Sequence, residues 1–493
     1  MVVSWSVLVG SVGVGCGLGC RGVVVVDGWS SVEGPGWVSP DILGDLCQVV
    51  FGSLARSDQR RWAEVYVRGL LTVEGRKSMR RIAAGAGVGA EQGLQQFISK
   101  SPWDWRPVRR SLAGYLQQRV EPLAWVVERL FIPKAGGRSV GVERQFVPHL
   151  GRVSNCQQAY GVWMVCREAS FPVEWGLALP DAWTADPGRR SRVGIPEDVE
   201  GCSPVQGALA QVLEVTRAWG ARARPVLMDV GDGDLEQVAA VLDGSGVPFV
   251  LRVGGSFPVA AADPRQVPFG GGWVSARRLV DSLRGQGRPV EWMDAARHRR
   301  RVAPVAAVAV HLPPVAGAGP ATGPGLLLLG AWSDRGGARP TEFWLSNAVH
   351  QPAAQVFRTA QLTRQVHRDQ REVSARVGVS DFEGRSFRGW HHHATLVSIA
   401  HAVCLLSQVQ ESRYARLRPP QSADPAPHPA AHPGAYPGAG AYPGAYVAGL
   451  PAAHLGAYPG AVRGAARPGA GHLGARRAPG AGLRPASVQP SAS

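Results

Sequence analysis

Apolar positions along the chain change their period several times, and each change marks an element. Between residues 40 and 120 they recur every three or four positions. Trp62, Val65, Tyr66 and Leu70 share one helical face, a second helix opens at Ser78 and covers Met79, Ile82 and Ala83, and a third covers Leu94 to Phe97. Ser101-Pro-Trp-Asp-Trp reads as a loop into another helix, with Ser101 as the cap and Pro102 in the first turn. The pattern then changes to strands. Leu123-Ala-Trp-Val-Val is unbroken apolar sequence, as a strand covered on both faces requires. Residues 139–147 alternate and 156–165 suit a third strand, so the three predict a meander of the kind that opens an RNase H-like sheet.

Beyond residue 205 the two periods alternate. A helix over 206–219 leads to a short strand, Pro225-Val-Leu-Met, ending in Asp229; a helix over 235–242 leads to a strand over 248–253. This β-α-β order calls for parallel strands and right-handed crossovers. Residues 255–350 are less regular, with strands expected at 302–311, 325–332 and 341–346, and read as an insertion; helices follow over 355–377 and 394–410. The expected fold is therefore α/β: a helical domain suited to DNA binding over 39–120, an RNase H-like core over 121–254 that resumes over 351–415, a partly β insertion over 255–350, and flanking segments 1–38 and 416–493.

The flanks differ in kind. The first 26 residues are apolar and glycine-rich, yet no charge precedes Arg21, so they match neither a secretory signal nor a packed membrane helix. They read as a disordered or misassigned start. Gly17-Leu-Gly19-Cys-Arg-Gly22 has the spacing of a dinucleotide loop, but a strand follows where a helix is needed. The tail is built of Pro, Gly, Ala, His and Tyr, with Ala-Tyr-Pro-Gly-Ala beginning at Ala435, Ala441 and Ala457, and is expected to be disordered because it buries too little to offset its ordering entropy.

Charge narrows the class of partner. The net charge is +16, and the tail beyond Arg418 holds only five arginines and one aspartate, so the rest keeps about +12. Such a surface favours a polyanion, nucleic acid first, through release of condensed counterions; GC-rich coding would give the same bias. Seven singly placed cysteines fit neither a disulfide framework nor a zinc site, and the cytoplasm is the expected compartment.

Phosphodiester chemistry with two divalent metals needs about three acids converging from separate elements. Asp229, at the carboxyl end of a buried strand, is the strongest candidate. Asp232 and Asp234, close by, read better as caps of the next helix. Glu128, directly after the apolar run 124–127, is either a ligand or a solvated strand end. The third place stays open among Asp369, Glu372 and Glu383, with surface ion pairs to Arg364, Arg368, Arg371 and Arg376 as the plain alternative. His391, His392 and His393 are consecutive, so they cannot share one metal from one helix face, and core or capping roles are expected.

At this point the chain resembles a known family. Pro133-Lys-Ala-Gly-Gly-Arg-Ser-Val-Gly-Val-Glu-Arg-Gln-Phe, Leu150-Gly-Arg-Val-Ser-Asn-Cys-Gln, Phe171-Pro-Val-Glu-Trp with Leu179-Pro-Asp-Ala-Trp, Gly194-Ile-Pro-Glu-Asp and Asp381-Phe-Glu-Gly-Arg-Ser-Phe-Arg-Gly-Trp-His-His-His-Ala-Thr-Leu are similar to segments of the insertion sequence 701 family of DDE transposases, in the same order. Tyr66-Val-Arg-Gly-Leu-Leu and Ser101-Pro-Trp-Asp-Trp match its helical region, and the abundance of Arg, Ala and Gly suggests an actinobacterial member.

The resemblance implies an RNase H-like fold, DNA cleavage and strand transfer with Mg²⁺ or Mn²⁺, and binding to the element's terminal inverted repeats; a homodimer is compatible with it, and no membrane is involved. It puts Lys134, Arg138, Arg144 and Arg385 on DNA. It aligns the family's first catalytic Asp with Glu128 and the second with Asp229, while the late-helix Glu falls near His367 or Arg368, leaving Glu372, one helical turn further on, as the third acid and metal ligand. Both departures weaken the expected activity, since ~1 Å of displacement costs catalysis heavily. A non-catalytic DNA-binding remnant, or a domesticated transposase, is the alternative reading; a metal-dependent nuclease is a third.

Overall fold

Five helices open the chain: α1 (Pro40–Val50), α2 (Ser57–Thr72), α3 (Met79–Ala86), α4 (Ala90–Ser99) and α5 (Trp105–Arg119). In this computed structural model the described residues are 38–417 apart from 88, 232, 269–270, 296, 298, 315–324 and 334–336; the start and tail discussed above lie outside them. The chain divides into two units, Met1–Gln421 and Ser422–Ser493, and every described residue belongs to the first. Side-chain caps fix three of the five helix starts: Ser39 accepts from the Ile42 amide, Ser78 from Arg81 and Asp104 from Arg106. The last differs from the expected cap at Ser101. Trp103 is buried between Phe97 and His392, which holds the chain out of helix until Asp104; the Ser101 hydroxyl instead accepts from Gln59 Nε2 at 3.0 Å.

The sheet begins with β1 (Ala124–Pro133), β2 (Val142–Val147), β3 (Arg152–Val165) and β4 (Ser170–Leu177). The expected meander is rearranged. β3 lies in the middle, paired antiparallel with β1 on one edge, and with β2 and then β4 along the other. β4 has no apolar alternation because all eight of its residues are buried, Glu174 included.

Short helices α6 (Asp181–Thr184) and α7 (Pro187–Val193) lead to α8 (Pro204–Leu213), whose Ser203–Gln206 capping box fixes its start and which ends in a π-helical turn, Glu214–Ala218. Then come β5 (Val226–Asp229), α9 (Leu235–Gly244) and β6 (Phe249–Arg252), with β1, β5 and β6 parallel, as the alternation of periods required. α8 packs so closely on β3 that a Cβ at Gly207 would meet the Tyr160 hydroxyl at 2.0 Å.

Residues 255–350 extend the same sheet. They add β7 (Pro258–Ala261), β8 (Val274–Ser275), α10 (Ala276–Ser282), β9 (Arg288–Asp294), β10 (Arg299–His311), β11 (Leu326–Trp332) and β12 (Pro340–Ser346). β12 pairs antiparallel with β6, giving the order β2-β3-β1-β5-β6-β12-β11-β10-β7-β8 in one mixed sheet. The single helix expected over 355–377 is divided into α11 (Ala353–Ala360), α12 (Thr363–Asp369) and a π-helical turn, Gln370–Ser374. The final helix, α13 (Phe387–Leu417), is buried on every side over most of its length and packs against β4, α1, α2, α4 and α5. The architecture is mixed α/β, and no helix among the described residues is long and apolar enough to cross a membrane.

α13 carries its histidines inside this core. His393 Nε2 donates to Gly378 O at 2.9 Å and Nδ1 accepts from the Tyr66 hydroxyl; His401 Nε2 donates to Ser170 O at 2.8 Å and Nδ1 lies 3.0 Å from Ser374 Oγ. Each is satisfied as a neutral ring, and burial pushes both down to about 4. The unfolded chain therefore binds more protons than the folded one below about pH 6.5. Stability present above that pH is lost as the pH falls towards 4, by roughly 1.4 kcal/mol per pH unit for each ring. Urea midpoints recorded from pH 7 to pH 4.5 should fall steeply, and His401→Gln should flatten the slope; an unchanged slope would disprove the assignment.

Candidate active site

Adjacent parallel strands place two acids side by side. Val127 pairs with Met228 in the β1–β5 register, so Glu128 and Asp229 occupy the next rung, on strands about 5 Å apart, with both side chains on one face. They stand at the carboxyl end of β5 and just past the buried part of β1, where open α/β sheets form ligand sites. Both line a cavity of about 370 Å³, whose other walls include Tyr160 on β3, Val205 and Ala208 on α8, and Thr363 and His367 on α12. Asp234 also lines it; Asp232 lies outside the described residues.

The charge partners matter as much as the acids. His367 Nε2 lies 2.7 Å from Glu128 Oε2, and Asp229 lies 4.0 Å from the Arg252 guanidinium on the neighbouring strand. Arg129 joins the lining, and Arg371 Nε donates to His367 O at 3.2 Å. The two carboxylates thus sit in a strongly basic surround, which favours an anionic substrate. Burial raises the Tyr160 phenol, so its hydroxyl stays protonated at the cavity wall.

α12 decides the third place. His367 faces Glu128, whereas Arg368 turns away to Ala295 O and Asp369. Asp369 is buried on the far side, accepting from both the amide and the hydroxyl of Ser170; burial raises its carboxyl against the opposing pull of Arg368. Glu372 is exposed on the π-helical turn and is not among the cavity residues. Glu383 pairs with Arg76 at 3.2 Å, on another face of the molecule beside Lys77 and Asp381. None of the three open candidates lines the cavity with Glu128 and Asp229, and the α12 side chain that reaches Glu128 is an imidazole. The resemblance put the late-helix acid near His367 or Arg368; it is His367 that faces Glu128, and an imidazole carries no signal of an acid site in the sequence.

Of the cations expected on DNA, Arg138, Arg144 and Arg385 are exposed, while Lys134 is half-buried with Nζ donating to Phe382 O at 2.8 Å. Burial lowers the Lys134 ammonium.

The donor set fits a divalent ion only in part. Glu128 and Asp229 offer carboxylate oxygens on one open face, which suits one such ion with its remaining places filled by water. A clamp for two ions needs a further carboxylate, and among the described residues no group of three or more His, Cys, Asp or Glu is disposed to hold a metal.

A family model described as DDE superfamily endonuclease matches residues 49–312, which carry both acids. A relative described as a probable transposase for insertion sequence element IS701, from Microchaete diplosiphon, is 29% identical over 107 residues, covering 21% of this chain and 28% of its own length. The chain thus spans under a third of the curated relative it matches. With more than half of its residues inside the family match, the chain belongs to the DDE superfamily endonucleases.

Proposed function

We propose that this protein is an insertion-sequence transposase that binds its element's ends and cleaves and joins DNA with a divalent metal, from an RNase H-like core. The observation that carries the reading is the pairing of Glu128 and Asp229 on adjacent parallel strands within one basic cavity. The order β4-β3-β1-β5-β6, with β3 antiparallel to the rest of its neighbourhood, supports the core assignment. Glu128 and Asp229 would hold the ion, which when bound, as Mg²⁺ or Mn²⁺, would polarise the scissile phosphate. His367 keeps the Glu128 carboxylate oriented through its hydrogen bond, and Arg129 and Arg252 draw the phosphate backbone to the cavity mouth. Two ends must be brought together for strand transfer, which fits action as a homodimer in the cytoplasm.

A second reading has its own observation. With an imidazole bound to Glu128 where a third acid would be needed, the protein can recognise DNA without cutting it. Cleavage of duplexes from the DNA flanking the gene, followed with Mg²⁺ and with Mn²⁺, separates the two. The first reading expects nicking that Asp229→Ala reduces by more than about a hundredfold, since even ~1 Å of misplacement costs that much. Gel shifts without cleavage under either ion would overturn it in favour of the second. Nicking of unrelated DNA with no preference for the ends would instead indicate a simple nuclease.

A further inference from the structure

We propose that the β2–β3 hairpin is a wedge that drives Phe146 between base pairs of bound duplex DNA, at a fixed distance from the cleavage site. The proposal rests on the DNA reading above and adds a mode of binding to it.

Phe146 pairs directly with Val153 across the hairpin, on one face. They are 57% and 53% exposed, and Leu150 at the turn is 40% exposed. These three large apolar side chains near the hairpin turn have no part in the core, and exposed apolar groups clustered in this way mark a binding surface. The base of the hairpin is rigid. Gln145 Nε2 donates to Cys156 O at 3.2 Å, Trp183 Nε1 donates to Val142 O at 3.1 Å, and Gln157 Nε2 donates to Val140 O at 2.7 Å. At the closing rung Val147 is fully buried on the opposite face, so the hairpin end is anchored while the face that carries Phe146 and Val153 stays open.

Charge selects the occupant. Residues 134–155 hold Lys134, Arg138, Arg144 and Arg152 against a single acid, Glu143. Arg144 lies two rungs from Phe146 on the same face, and Arg138, Arg144 and Arg152 form no ion pair among the described residues. An apolar tip flanked by guanidinium groups matches a duplex, with bases for the wedge and phosphates for the arginines; proteins that kink DNA insert Phe or Leu between base steps in this way. The hairpin also shares β3 with the strand that carries the first acid. Gly161 of β3 pairs with Glu128, and Val153 lies eight residues back along the same strand, about 26 Å at ~3.3 Å per residue. At ~3.4 Å per base step the disturbed step falls about eight base pairs from the acids.

Short duplexes from the DNA flanking the gene, carrying 2-aminopurine at successive positions, test this with the full chain. Wild-type protein is expected to raise the fluorescence severalfold at one position as the base unstacks. Phe146→Ala should abolish the rise while anisotropy shows affinity kept within about tenfold. Phe146 is exposed, so the variant keeps the fold. Arg144→Ala should lower the slope of log affinity against log salt by about one. Binding by wild type with no rise at any position, or a rise that survives Phe146→Ala, overturns the wedge and leaves the DNA reading intact. Failure of wild type to bind any duplex overturns both. A change of mass in sedimentation for Phe146→Ala, with the fluorescence rise unaltered, would assign the tip to contact between copies instead.

Discussion

His367→Glu is expected to raise Mg²⁺-supported cleavage of end-containing duplexes by about a hundredfold or more. The physical basis is the donor set. His367 is the α12 side chain that reaches Glu128, at 2.7 Å, and a carboxylate in its place would supply the oxygen ligand that an imidazole cannot offer to a hard ion. The magnitude follows from positioning: a ligand misplaced by ~1 Å costs about a hundredfold, so supplying an absent one should recover at least that. Two measurements check it. Titration calorimetry should show Mg²⁺ binding more tightly to His367→Glu than to wild type, and adding Asp229→Ala should remove both the binding and the cleavage. If His367→Glu folds, binds Mg²⁺ no better and cleaves no faster, the late-helix site is not where the missing acid belongs.

Loss of the buried arginine should be nearly as consequential for stability. Arg109 on α5 is fully buried and meets five acceptors: Glu174, Trp175 O at 2.8 Å, Thr395 Oγ1 at 2.7 Å, and His391 through both its carbonyl at 3.0 Å and Nδ1 at 3.3 Å. It therefore joins the opening helices, β4 and α13. Arg109→Met leaves Glu174 buried without its counter-charge and should cost about 3–5 kcal/mol, whereas Arg109→Met with Glu174→Gln should cost much less, because breaking such a pair is worse than replacing it.

The two variants should also differ in pH dependence. Burial already raises the Glu174 carboxyl, and without Arg109 only the Trp175 amide, which donates to Glu174 Oε1 at 2.9 Å, opposes that rise. A folded-state value above the unfolded one stabilises at low pH, so the gap between single and double variants should shrink as the pH falls. Urea unfolding across pH 5 to 8 measures the gap; a gap that widens on acidification would refute the account.

How much of this could be read along the chain depends on the range of the forces involved. The helices over 40–120, the strands near 226–229, 249–252, 302–311, 326–332 and 340–346, and the position of Asp229 at a strand end all follow from local periodicity and turn chemistry. Glu128 emerges as well, because an acid directly after a buried apolar run is a local signal. β4 does not, since its buried Glu174 reads as polar until Arg109, 65 residues earlier, is seen against it. α13 shows no apolar stripe because it is enclosed on every side, and enclosure is a property of the assembled core.

The third site position shows the division most sharply. The sequence by itself determined that acids and basic residues crowd the stretch 364–383, and no local rule ranks Asp369, Glu372 and Glu383. Tertiary structure decided that Asp369 serves Ser170, that Glu383 serves Arg76, and that His367 faces Glu128. The reason is geometric: which side of a helix meets a strand more than two hundred residues away is set by packing of the whole sheet, whereas periodicity records only which residues share a side.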